Sequence, residues 1–196
     1  MMQKTPIAVL ISGRGSNMRA LIEACERPDY PARIALVLSN RPDAAGLEIA
    51  RAAGLQTIAI DHKPFGKDRE AHERKVDAAI RASGAEIVCL AGYMRVLTPF
   101  LVNAWNGRML NIHPSLLPAF PGLHTHEAAL AAGAKEHGCT VHLVTAGVDE
   151  GPILRQARVP VHAGDTPDGL AVRVLEQEHV LYPAVLFDFI INWYVK

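Results

Sequence analysis

Ile7-Ala8-Val9-Leu10-Ile11-Ser12-Gly13-Arg14-Gly15-Ser16-Asn17-Met18 is the stretch whose reading decides the fold. A continuous apolar run rich in β-branched residues is what a strand covered on both faces requires. A glycine turn follows it, and Met18, Leu21, Ile22 and Cys25 then recur at helical spacing. The unit is strand, turn, helix. Downstream, Ile34 to Ser39 reads as a second buried strand, and Asp43 to Ala53 as a helix stopped by Gly54 in a left-handed cap. Thr57 to Ile60 makes a short strand and Asp61 to Asp68, with its Pro and Gly, a loop. A charged helix over Arg69 to Ala82 turns Val76, Ala79 and Ile80 inward, and a strand over Glu86 to Ala91 follows. Thr98 and Pro99 suit the N-cap and first residue of a helix through Trp105.

Beyond a strand at Met109 to His113, the pattern predicts a helix over His124 to Ala132 and an alternating, half-buried strand over Cys139 to Thr145. Ala146 to Gly151 reads as a turn and Ile153 to Val161 as a strand, and Thr166-Pro167 repeats the cap signal before helices running to the end. Alternating strands and helices predict an α/β chain with a Rossmann-like, mostly parallel sheet and helices on both faces. Antiparallel strands are expected in the C-terminal half.

The chain has 196 residues, 49% hydrophobic and 20% charged, which suits a single domain with a real core. Its 20 Lys plus Arg balance 20 Asp plus Glu, so no overall field draws it to nucleic acid or to an anionic membrane. The 3 cysteines, Cys25, Cys89 and Cys139, lack CxxC spacing and read as small buried hydrophobes of a reducing, cytoplasmic protein. The apolar run from Pro6 to Ile11 is too short for a signal peptide. Val180 to Val195, interrupted by Pro183, Asp188 and Asn192, falls short of the roughly 20 residues of a membrane span and reads as a buried helix. Composition leaves monomer and homodimer equally open.

Three features carry chemistry. In Met109-Leu110-Asn111-Ile112-His113-Pro114 the period of a strand places Asn111 and His113 on one face, and Pro114 ends the strand where His113 emerges. A carboxamide donor beside an imidazole suits stabilisation of an oxyanion and proton delivery. Gly13 to Asn17, between strand and helix, offers backbone N–H groups to a phosphate. Met18 stands where a dinucleotide fingerprint needs a third Gly, the second strand ends in Ser39-Asn40 rather than an acid, and no Gly-Lys-Ser/Thr follows. A monophosphate fits best. Asp149 follows a strand and so could return to the edge where His113 lies, or be a solvated turn acid. Glu178 reads as an ordinary surface acid, and Arg69 and Arg95 either meet an anionic substrate or solvate a surface. Five histidines, His113, His124, His126, His137 and His142, raise a metal site, but no Cys stands at ligand spacing and 124 and 126 do not form an i, i+4 pair. No metal is expected.

Together Gly13-Arg14-Gly15-Ser16-Asn17, Leu90-Ala91-Gly92-Tyr93-Met94-Arg95-Val96-Leu97, Asn111-Ile112-His113-Pro114-Ser115-Leu116-Leu117-Pro118 and Pro121-Gly122-Leu123-His124-Thr125-His126 resemble, in order, the phosphoribosylglycinamide formyltransferase family. The resemblance continues through Glu136-His137-Gly138, Val148-Asp149-Glu150-Gly151-Pro152 and Gln177-Glu178-His179. It implies transfer of a formyl group from 10-formyltetrahydrofolate, a co-substrate, to the amine of glycinamide ribonucleotide in purine synthesis. It also implies one domain over 1–196, with a phosphate-binding half to about 105 and a catalytic, folate-binding half from about 106. Asn111, His113 and Asp149 would be the catalytic set. Gly15, Ser16, Asn17 and Glu178 would hold the ribonucleotide. Arg69, Met94, Arg95, Val96, Leu97, Asn111, Thr145 and Asp149 would border the folate. Arg14 and Glu150 depart from residues frequent in the family, Asn and Gly. Rival functions are formyltetrahydrofolate hydrolysis, another folate-dependent formyl transfer such as that to methionyl-tRNA, and noncatalytic binding of a phosphate ligand.

Overall fold

Along β1 (Thr5–Ile11), Ile7, Val9 and Ile11 pack on one side of a sheet while Ala8 and Leu10 pack on the other, and all are fully buried. Covering both faces in this way requires helices on both sides. The computed structural model describes residues 3–193. The other strands are β2 (Ala32–Ser39), β3 (Thr57–Ala59), β4 (Ile87–Leu90), β5 (Met109–His113), β6 (Glu136–Leu143) and β7 (Ile153–Pro160). They form one sheet in the order β3-β2-β1-β4-β5-β6-β7. The first five pair in parallel, and β6 and β7 add antiparallel to them, as expected for the C-terminal half.

The helices are α1 (Ser16–Glu26), α2 (Ala45–Ala52), α3 (Arg69–Ala82), α4 (Pro99–Ala104), α5 (Thr125–Ala131) and α6 (Pro167–Trp193). Met18 and Leu21 of α1, Leu47 of α2 and Leu170, Val174 and Leu186 of α6 pack on the face of Val9, while Val76 and Ile80 of α3 and Leu101 of α4 cover the face of Leu10. Strand order turns back between β1 and β4, so a crevice opens beyond the carboxyl ends of these two strands.

Several local expectations are corrected. β6 begins at Glu136 and ends at Leu143, and it is buried almost throughout rather than alternating. On one face Cys139 and Val141 join the cluster packed by α6, and on the other Thr140 and His142 lie under the loops that carry Ser115, Leu117 and Asp149, so neither face is left to water. The helices expected after Thr166 are one helix of 27 residues, with Pro183 inside it. Thr166 Oγ1 accepts from Gly169 N at 3.1 Å, the expected cap. The apolar half of α6 is amphipathic rather than wholly buried: Leu181, Tyr182, Val185, Leu186 and Ile190 face the core, whereas Val180 and Ile191 are exposed. The expected run to Val195 extends past the described residues. The 61–68 loop contains a short 3₁₀ turn, Lys63–Phe65. Cys89 and Cys139 are fully buried and Cys25 half-buried, and burial pushes all three thiols up to about 12. Among the described residues no helix is long and apolar enough to cross a membrane.

From α6, the fully buried Tyr182 hydroxyl lies 3.1 Å from the main-chain oxygens of both Leu90 and Leu110, at the seam of β4 and β5. Tyr182→Phe strands polar groups in the core and is expected to cost about 1–2 kcal/mol. The check is urea unfolding, with a lower midpoint and an unchanged slope.

Candidate active site

The site begins where the α3 and α4 cover ends. Met109 is the β5 residue buried in the cluster beneath those helices, and strand alternation puts Asn111 and His113 on that same face. Because β6 pairs antiparallel with β5, Asn111 stands opposite His142 and His113 opposite Thr140. His142 Nδ1 lies 2.9 Å from Leu143 O, an acceptor, so this nitrogen carries the proton and Nε2 is left to accept from Asn111 Nδ2 at 3.1 Å. The carboxamide is thereby fixed, with its second N–H unclaimed by this contact. His113 Nε2 donates to Phe120 O at 3.0 Å, leaving Nδ1 to face Asp149.

Asp149 arrives by a route other than the one its position after a strand suggests. β6 runs against β5, so Leu143 ends beside Leu110 rather than at the edge where His113 emerges. The segment after it folds back, and Asp149 Oδ2 comes within 3.4 Å of His113 Nδ1 while Oδ1 lies 3.7 Å from His142 Nε2. The Gly122 N–H donates to Asp149 Oδ2 at 2.9 Å. Asp149 itself is left-handed, with φ 56°, a conformation that short polar side chains tolerate better than most. Burial opposes its ionisation, but the Gly122 N–H and the positive charge that His113 and His142 carry when protonated hold the carboxyl below its ordinary range. The alternative of a solvated turn acid is excluded.

At the other strand end, α1 starts from Gly15 in a left-handed turn with no side-chain cap, so its first N–H groups take no side-chain partner there. Gly46 of α2 packs directly on this loop: its N–H donates to Gly13 O at 2.9 Å, and a Cβ at Gly46 would stand 3.0 Å from that oxygen and 2.6 Å from Ile11 Cδ1. Asn17 Nδ2 reaches Glu178 Oε2 at 2.7 Å, and Glu178 is only 5% exposed. The expectation of a surface acid is therefore wrong, because α6 passes against α1. Burial pushes the Glu178 carboxyl up, against the Asn17 hydrogen bond. A pocket of about 350 Å³ lined by Arg14, Ser16, Arg19, Ala45, Ile49 and His179 adjoins the loop, so Arg14 faces a cavity beside Ser16.

Met94 and Val96 are exposed, and Arg95 and Leu97 half-buried, in the segment between β4 and α4. Arg69 opens α3 and is exposed, and Thr145 is half-buried at the start of the returning segment. No described contact joins Arg69 or Thr145 to the Asn111 cluster. Thr98 stands at the N-cap of α4 as expected, but its hydroxyl donates to Glu73 and accepts from no N–H of the helix. Of the remaining histidines, His124 is paired with Glu127 at the surface, and His126 meets His137 edge to face at 5.1 Å. Among the described residues no group of three His, Cys, Asp or Glu is arranged to hold a metal. His142 is the site residue that sequence reasoning missed; its signal was present only as one more histidine, because its partner lies 31 positions away across a non-local pairing.

The sequence profile described as formyl transferase matches residues 5–186. The chain belongs to the formyl transferase family. A phosphoribosylglycinamide formyltransferase of Escherichia coli (strain K12) is 49% identical over 183 residues, covering 93% of this chain and 86% of that one. Among solved structures, the phosphoribosylglycinamide formyltransferase from Brucella melitensis superposes with a TM-score of 0.90 at 53% identity, covering 95% and 96% of the two chains. The glycinamide ribonucleotide transformylase 1 from Symbiobacterium toebii gives 0.91 at 48% identity, covering 94% and 86%.

The lowered Asp149 carboxyl has a consequence for acid stability in this formyl transferase. A folded value below the ordinary 3.8 contributes stability that is present above that value and lost as the pH falls through the folded one. The stability difference between the native chain and Asp149→Asn is therefore expected to shrink as the pH drops from about 6 to about 3. Urea midpoints across that range provide the measurement, and a difference that stays constant contradicts the assignment.

Proposed function

We propose that this enzyme transfers the formyl group of 10-formyltetrahydrofolate to the amine of 5-phosphoribosylglycinamide, giving the formylated ribonucleotide and tetrahydrofolate in purine biosynthesis. The observation that carries the reading is the Asn111, His113, His142 and Asp149 cluster at the end of β5, in a chain of this family. We read residues 1–196 as one formyltransferase domain, with a phosphate-binding half to about 105 and a catalytic, folate-binding half after it.

The chemistry follows from the geometry. The substrate amine, neutral, attacks the formyl carbon, and the carbonyl oxygen gains a negative charge. Asn111 offers that oxygen the N–H not used by His142. Protonated His113 supplies charge and a proton once its Nε2–H leaves Phe120 O for the reacting oxygen. Asp149 balances the imidazolium charge through Nδ1 and orders a water that relays the proton lost by the amine. Collapse of the tetrahedral intermediate returns the oxygen's proton to His113 and breaks the bond to the folate nitrogen, which takes the proton relayed from the amine and leaves as tetrahydrofolate. No metal has a part in this scheme.

Backbone N–H groups of Gly15, Ser16 and Asn17 hold the substrate phosphate at the start of α1, and Glu178 binds toward its ribose or glycinamide end. The depth of Glu178 gives its carboxylate a fixed direction through Asn17. Met94, Arg95, Val96, Leu97 and Thr145, with Asn111 and Asp149, border the folate ring, and Arg69 meets its glutamate tail. Electrostatics of this kind need no general basic surface, in keeping with the balanced charge.

The deciding experiment is consumption of 10-formyltetrahydrofolate with and without the ribonucleotide. Turnover strictly dependent on the ribonucleotide is expected, whereas consumption without it indicates hydrolysis. His113→Ala and Asp149→Ala are each expected to lower kcat by about 10²–10³ with substrate affinities largely kept. Near-normal kcat in both overturns these roles.

A further inference from the structure

Residues 91–98 leave β4 without joining any strand or helix, yet main-chain N–H groups at both ends of their exposed portion end on buried side chains. At one end the Met94 N–H donates to Ser12 Oγ at 2.7 Å, and that hydroxyl donates to Asn40 Oδ1 at 2.5 Å. Ser12 N also donates to Gly92 O at 3.0 Å, so β1 and the exit of β4 are stitched twice. At the other end the Thr98 N–H donates to Glu73 Oε1 at 2.8 Å, and the Thr98 hydroxyl donates to Glu73 Oε2. Ser12 is 4% exposed and Glu73 3%. Between these anchors Met94 and Val96 project into solvent, 66% and 55% exposed.

We propose that Ser12 and Glu73 are positioning residues that clamp the two ends of the 94–97 segment and so set the affinity for formylfolate. The inference rests on the reading that this segment borders the folate ring. Burying a carboxylate costs free energy unless hydrogen bonds compensate, and both of Glu73's described hydrogen bonds come from the single residue Thr98. Packing α3 against α4 does not require a carboxylate there; holding Thr98 by both its N–H and its hydroxyl does. Arg69 lies four residues before Glu73 on α3 and hence on the same helical face, so one helix carries both a clamp and the cation assigned to the folate tail. A segment fixed before the ligand arrives spares the ligand the entropy of ordering it.

The test compares Ser12→Ala, Glu73→Ala and Glu73→Gln in the full chain, with Val96→Asp as a probe of the segment itself. Ser12→Ala and Glu73→Ala are expected to raise KM for 10-formyltetrahydrofolate about 5–10-fold, the effect of roughly one hydrogen bond, while KM for the ribonucleotide and kcat stay within about 2-fold. Glu73→Gln, which keeps an acceptor for the Thr98 N–H and a donor for its hydroxyl, is expected to restore most of the native KM. Hydrogen exchange of a peptide spanning 92–98 should quicken in the two alanine variants. If Glu73→Ala does not fold, Thr98→Val reads the same contact with a milder change. A raised folate KM in Val96→Asp with native KM and native exchange in the clamp variants overturns the clamp and leaves the folate assignment standing. An unchanged folate KM in Val96→Asp overturns that assignment, and the clamp with it. A fall in kcat with both KM values unchanged makes Ser12 and Glu73 structural only.

Discussion

The antiparallel register between β5 and β6 is the constraint on which the site depends. It sets Asn111 against His142 and His113 against Thr140, and the resulting Asn111 to His142 hydrogen bond orients the one carboxamide of the cluster. A slip by one residue would turn His142 to the opposite side of the sheet and leave Asn111 without its acceptor. Thr140 secures the register from the same face: its hydroxyl accepts from Leu117 N at 3.1 Å and donates to Ser115 O at 2.7 Å, tying the loop after β5 to the strand that pairs with it. Leu117 O in turn accepts from Gln156 Nε2 at 2.8 Å, so β7 also takes part.

The sheet divides the labour between its faces. On the side of Val9, helices α1 and α6 bring Asn17 and Glu178 together beneath the glycine loop. On the opposite side, the apolar cover by α3 and α4 reaches Met109, after which loops take over around His113 and Asp149. Loops supply what helices there would not: a main-chain oxygen at Phe120 and a main-chain N–H at Gly122, aimed at the imidazole and the carboxylate. Exclusion of water around these groups strengthens their mutual electrostatics.

The elements whose pattern is local were legible. The run from Ile7 to Ile11, the helix over Arg69 to Ala82 and the placement of Asn111 with His113 on one face follow from periodicity alone. What escaped was non-local. The mate of Asn111 is set by pairing between distant strands, and the burial of Glu178 by the packing of α6 on α1, neither of which a single segment records. The end of β6 shows the difference plainly: Asp149 does meet His113, but not because it follows a strand, since an antiparallel strand delivers its last residue to the far edge and the chain must fold back. Thr98 and Pro99 do stand at the N-cap and first position of α4, but the Thr98 hydroxyl gives the helix no hydrogen bond because Glu73, 25 positions earlier, claims it.

The left-handed backbone at Asp149 ties conformation to chemistry. Among side chains other than hydrogen, Asn and Asp enter that region most readily, and of the two only Asp carries a charge to set against an imidazolium. A longer acid would meet both a steric penalty in the main chain and a displaced carboxylate. Mutational drift at this position is thus confined from two independent directions, and the alphabet open to it has in effect a single letter.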